Sequence, residues 1–100
     1  MAIYLLLTSL TEEGRKTIED FPERLKELNK EVEYMGVKIR DQYALLGQYD
    51  FVNIVEAPSD EIVAKLAIHL SARAELRTLT LPAIPLDTLV ETLKKKHEPL

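Results

Sequence analysis

Cysteine is absent from the 100 residues, so the chain can hold no disulfide, no thiolate-bound metal and no cysteine nucleophile. Positive charge is not in excess either: 13 basic residues are interspersed with 17 acidic ones, a formal net charge of -4. That distribution offers no broad positive field to a phosphate backbone, and nucleic acid is not an expected partner. Long apolar runs are missing as well. The first, Met1 to Thr8, is far short of a membrane span and has neither a basic lead nor a small-residue cleavage site. No membrane association is expected, and the cytoplasm is the expected location. There is no glycine-rich phosphate loop, and no nucleophile elbow surrounds Ser9, Ser59 or Ser71. His69 and His97 have no second histidine or carboxylate at metal-ligand spacing, and a lone helical histidine is more often structural or solvated than a haem ligand. Neither a metal nor another cofactor is expected. Side-chain amides are few: Asn29, Gln42, Gln48 and Asn53.

Against these absences stands an apolar content of 46%, enough for one core in a single domain over residues 1–100. Ile3 to Thr8 is apolar on both alternating sets, as in a strand covered on both faces. Ser9-Leu10-Thr11-Glu12 fits a capping box that opens a helix, and Phe21-Pro22 interrupts it. Phe21, Leu25, Leu28, Val32 and Met35 then recur at helical spacing, a stripe closed by Gly36 where a left-handed C-cap is wanted. Val37 to Leu46 alternates as a strand, with Val37, Ile39, Asp41 and Tyr43 on one side and a charged, edge-like first half. Gly47-Gln48-Tyr49-Asp50 turns the chain, and Phe51 to Glu56 returns it. Ser59 caps a helix running to about Arg73, with Val63, Leu66, Ala67 and Leu70 as its stripe. Leu76 to Leu81 alternates again and stops at Pro82, and Pro85 to Lys96 allows a short last helix with Leu86, Leu89, Val90 and Leu93 aligned.

The order strand, helix, strand, strand, helix, strand, with a tail helix, specifies an α+β chain. It is the ferredoxin-like βαββαβ arrangement, a four-stranded antiparallel sheet with both main helices on one face. The other face is left uncovered, and Tyr4, Leu6, Phe51 and Val55 are expected on it. That is more apolar surface than a monomer usually exposes, so a second copy, sheet against sheet, is the expected partner.

Several short stretches carry a resemblance: Tyr4-Leu5-Leu6-Leu7-Thr8, Glu13-Gly14, Tyr43-Ala44-Leu45-Leu46-Gly47, Tyr49-Asp50, Glu56-Ala57-Pro58 and Arg77-Thr78. Together they resemble the GYD family, whose name is the Gly, Tyr and Asp of the turn at residues 47–50, over nearly the whole chain. The resemblance implies the ferredoxin-like fold of the dimeric α/β-barrel superfamily, which includes monooxygenases, isomerases, haem enzymes and ligand-sensing modules. The family itself has no assigned activity. Ala74 stands where similar sequences often carry glycine, which argues against a left-handed exit from the second main helix.

Asp50 is the sharpest candidate for chemistry. A carboxylate at a turn between two aromatics can be partly desolvated and act as a general base, or it can bond local backbone amides and fix the turn. Gly47 is read as conformational. Tyr4, Tyr43 and Tyr49 can give hydroxyls to a ligand or serve at core edges and interfaces. Asn53, an amide in an apolar strand, must find partners across the sheet or in a wet cavity. Arg77 and Thr78 can bind an anionic ligand, or Arg77 can pair across strands with Glu56. Three readings follow. One is a homo-oligomeric module for a small organic ligand near Asp50, Tyr49 and Asn53. Another is a cofactor-independent monooxygenase or isomerase in which Asp50 abstracts a proton and a tyrosine or Asn53 stabilises the enolate. The third is a purely structural oligomer.

Overall fold

The computed structural model describes residues 1–95. Its elements are β1 (Ala2–Leu10), α1 (Glu12–Asp20), α2 (Arg24–Tyr34), β2 (Lys38–Ala44), β3 (Phe51–Ala57), α3 (Asp60–Ser71), β4 (Leu76–Ala83) and α4 (Leu86–Lys94). The four strands form one antiparallel sheet in the order β2-β3-β1-β4, the ferredoxin-like arrangement expected from the element order. Helices α2 and α3 cover one face, where Leu28, Val32, Val63, Leu66 and Leu70 meet Tyr4, Leu6, Val55 and Leu76 in the core.

The side of β1 that faces the helices is the reverse of the expected one. Tyr4, Leu6 and Val55 are buried under the helices, and Phe51 is on that side as well. The uncovered face instead carries Ile3, Leu5 and Leu7 from β1, Val52 and Ile54 from β3, and Leu79 and Leu81 from β4. A strand that is apolar on both sets has no polar row to mark its outside, so its phase depends on partners distant in sequence. A bulge at Arg40 changes the phase within β2: Ile39 pairs with Val55, yet Asp41 pairs with Ile54 and Gln42 with Asn53. Gln42 therefore joins the helix side in place of Asp41.

Other boundaries move for local reasons. Ser9 stays in β1, because β4 pairs with that strand as far as Leu10. The N-cap of α1 is thus Thr11, whose hydroxyl accepts from the Gly14 amide at 3.0 Å. The chain does break at Phe21-Pro22, but Phe21 becomes the C-cap of α1 and is exposed rather than part of the α2 stripe. Pro82 does not stop β4, which sits on the sheet edge and continues to Ala83.

Glycine is required at three places for two reasons. Gly36 and Gly47 have φ of +87° and +121°. At Gly14 a Cβ would lie 2.1 Å from the Glu75 carbonyl oxygen, so α1 can reach the start of β4 only with hydrogen there. Ala74 does leave α3 through the left-handed region, with φ 58°, although it carries a Cβ. No residue of α4 is buried, and its apolar stripe is exposed; the molecule measures 59 × 28 × 21 Å. Lys96 and His97 lie outside the described residues.

Candidate functional site

The β2–β3 connection is a six-residue loop, Leu45 to Asp50, rather than a tight turn. Asp50 fixes it to the neighbouring strand. Its backbone amide donates to the Thr8 carbonyl at 2.9 Å, and its Oδ2 accepts from the Leu10 amide at 2.7 Å. The Leu45 amide donates to the Asp50 carbonyl at 2.7 Å, and the Ser9 hydroxyl to the Gln48 carbonyl at 3.3 Å. This carboxylate therefore ends β1 by satisfying a backbone donor. It is half-buried, as is Tyr49 beside it, while Leu46 at the loop tip is fully exposed.

Next to Asp50, from Phe51 onward, lies a cavity of about 220 Å³ between α2 and the sheet, bordered on one side by edge strand β2. Leu6, Leu28, Val32, Val55, Leu70 and Leu76 contribute apolar walls. Its polar groups form a chain that runs outward. Asn53, nearly buried at 9% exposure, donates from Nδ2 to the Leu6 carbonyl at 3.2 Å. Its Oδ1 accepts from Gln42 Nε2 at 2.6 Å. Gln42 Nε2 also donates to Asn29 Oδ1, and Asn29 Nδ2 donates back to Gln42 Oε1, both at 2.8 Å. The reciprocal amide pair thus joins α2 to β2.

A charged cluster ties the helices that roof this space. Arg24, with its side chain only 14% exposed, reaches Glu31 at 3.0 Å and Glu75 at 2.9 Å. Glu31 also meets His69 at 2.8 Å and Arg73 at 3.2 Å. Burial opposes ionisation of Glu31, but the His69 hydrogen bond and the charges of Arg73 and Arg24 outweigh it and lower its pKa. The Glu75 hydrogen bond likewise holds Arg24 charged more firmly than usual, against the effect of burial. Near the start of β1, Tyr4 donates its hydroxyl to Asp60. That bond first, then burial and the charges of Asp60 and Glu61, raise the tyrosine above its ordinary value.

The expected site residues do not converge on one place. Asn53 and Tyr43 border the cavity, whereas Asp50, Tyr49, Tyr4, Arg77 and Thr78 do not. Tyr43 pairs with Val52, in the register of the uncovered face. Tyr4 is directed to the start of α3. Arg77 and Thr78 pair with Ser9 and Thr8, and as successive strand residues they point to opposite faces. Arg77 does not reach Glu56, because β1 separates their strands and they pair with opposite ends of it; Glu56 faces Arg40 instead, at 3.9 Å. Asn29 and Gln42 belong to no motif. Their signal is scarcity: of the four side-chain amides in the chain, three form this single ladder. Among the described residues no group of three or more His, Asp or Glu side chains is placed to hold a metal ion, and no helix is long and apolar enough to cross a membrane.

The family model described as GYD domain matches residues 4–93. A relative from Thermus thermophilus, named "Glutamine synthetase and cystathionine beta-lyase binding protein", is 45% identical over 95 residues, spanning 94% of this chain and 100% of the relative. The crystal structure of FFRP-DM1 is similar in fold, with a TM-score of 0.56 at 20% identity, covering 84% of this chain and 100% of that one. With Gly47, Tyr49 and Asp50 at the loop and Gly14 held against Glu75, the chain belongs to the GYD domain family.

Proposed function

We propose that this GYD protein is a cytoplasmic, homo-oligomeric binding module whose α2–sheet cavity holds a small organic molecule. The observation that carries this reading is the cavity itself: an apolar space of about 220 Å³ lined by a nearly buried amide, Asn53, that is bonded to Gln42. Such a concave, mainly apolar pocket with a few placed polar groups is the usual form of a small-molecule site. Its test is native mass spectrometry of the freshly purified protein, with organic extraction of whatever co-purifies. A stoichiometric adduct that is lost when Leu28→Trp fills the cavity supports the reading. Failure of every small-molecule library member to bind wild type in a ligand-detected NMR screen would overturn it.

A second role, in protein contact, is favoured by the uncovered sheet face. Ile3, Leu5, Leu7, Val52, Ile54, Leu79 and Leu81 form a continuous apolar surface. Lys38, Glu56 and Arg77, charges of both signs, lie in the same register at its ends. A surface of this kind is self-complementary under a two-fold axis, so a second copy is the occupant we assign to it. The Thermus relative is named for binding two enzymes, and by that likeness glutamine synthetase and cystathionine beta-lyase are the partners to try. Saturable binding of the assembled protein to either enzyme by biolayer interferometry supports this role, and no binding to both removes it.

A further inference from the structure

Resting on the cavity's role as a small-molecule site, we infer that its ligand is uncharged and carries a planar donor–acceptor edge, such as a primary amide or lactam, which takes the place of Asn29 against Gln42. None of the residues lining the cavity is charged. A carboxylate set against Gln42 would find one donor but face the Oε1 acceptor with no counter-charge nearby, and an ammonium group would leave the Nε2 donor facing a donor, whereas a neutral amide satisfies both atoms. Size sets the body of the molecule. A cavity of roughly 150 Å³ is known to admit benzene, so about 220 Å³ accommodates a single ring with one small polar substituent.

The amide ladder sets the polar edge. Asn53 is held at its inner end by the Leu6 carbonyl and cannot turn without giving up that hydrogen bond. Gln42 is fixed by Asn53 through one Nε2 proton, which leaves its second proton and its Oε1 as a side-by-side donor and acceptor. Asn29 occupies both in the structure, at 2.8 Å each. That reciprocal pair lies in the exposed part of the ladder, where each neutral hydrogen bond exchanges with water at little net cost. A ligand amide presents the same two atoms in the same plane, so it can replace Asn29 bond for bond while its ring enters the apolar space. Asn29 is then a latch on α2, and Gln42 is the group that reads the ligand.

Heteronuclear NMR titration of the full chain with three probes of similar size tests this: benzamide, toluene and benzoate. Benzamide is expected to bind and to shift the side-chain amide signals of Asn53 and Gln42. Toluene should bind about fivefold more weakly, the ratio that one net hydrogen bond supplies, and benzoate should not bind. Gln42→Ala should reduce benzamide to the affinity of toluene, whereas Asn29→Ala should leave benzamide binding intact or tighter. Toluene binding as well as benzamide would overturn the amide readout, and benzoate binding as well as benzamide would overturn the neutral-ligand claim, each leaving the cavity itself as a site. If none of the three shifts Asn53 or Val55, the inference and the small-molecule reading beneath it both fail.

Discussion

Leu5 and Leu6 are neighbours in one strand, and their surroundings are opposite in kind. Leu6 is 2% exposed beneath two helices that are joined through Glu31 of α2 and His69 of α3. Leu5 faces the uncovered side with Ile54 and Leu81 as its cross-strand neighbours and no second layer above it among the described residues. The covered side holds the nearly buried Asn53, bonded to the Leu6 carbonyl and to Gln42. The uncovered side is apolar at its centre with charges at its ends. This is the reverse of a one-sided sheet in water, whose outer face should be polar. The helix layer closes the core of the single chain, while the other face has no covering layer among the described residues, which supports the proposal that a second copy covers it.

The largest expected effect breaks the covered side. Leu6→Ala should lower stability by about 3 kcal/mol in chemical denaturation, because it leaves a cavity in a close-packed core. The loss should be independent of protein concentration. Leu5→Ala should cost the subunit less than about 1 kcal/mol and should act instead on association, so that its effect grows on dilution. Equal, concentration-independent losses would erase the contrast between the faces.

Glu31→Gln should cost about 2 kcal/mol near neutral pH, since a charged acceptor shared by Arg24, Arg73 and His69 is lost. The sign of its pH dependence is fixed by linkage. The folded carboxyl titrates below its ordinary value, so its contribution is complete above the unfolded value and disappears as pH falls through the folded one. Wild type should therefore lose more stability than the variant between neutral pH and about pH 3, as read by melting temperature against pH. Asp50→Asn should cost about 1 kcal/mol, because an amide oxygen can still accept from the Leu10 amide but without its charge. A cost near zero would detach the loop carboxylate from the sheet. The smallest effect is a gain: Ala74→Gly should stabilise by up to about 1 kcal/mol by relieving a Cβ at φ 58°.

These contrasts also show what the sequence could express. Helical stripes such as Val63, Leu66 and Leu70 are local and periodic, and they located α3 and its buried face directly. Gly36, Gly47 and the cap at Ser59 were equally local. The phase of β1 was not, since Tyr4-Leu6 and Ile3-Leu5-Leu7 are both apolar and only the strands beside them decide which set faces the helices. Nor was the bulge at Arg40, which aligns Gln42 with Asn53. The amide ladder joins residues from α2, β2, β3 and β1, so no window of sequence contains it. The same is true of Arg77, whose neighbours depend on the strand order and not on its charge.

The proposal that the uncovered apolar face is an interface with a second copy is decided by multi-angle light scattering of the chain at micromolar concentration. The expected mass is at least twice the 11.4 kDa of one chain, reduced toward that of one chain by Leu5→Glu. A wild-type mass of one chain across that range would contradict it.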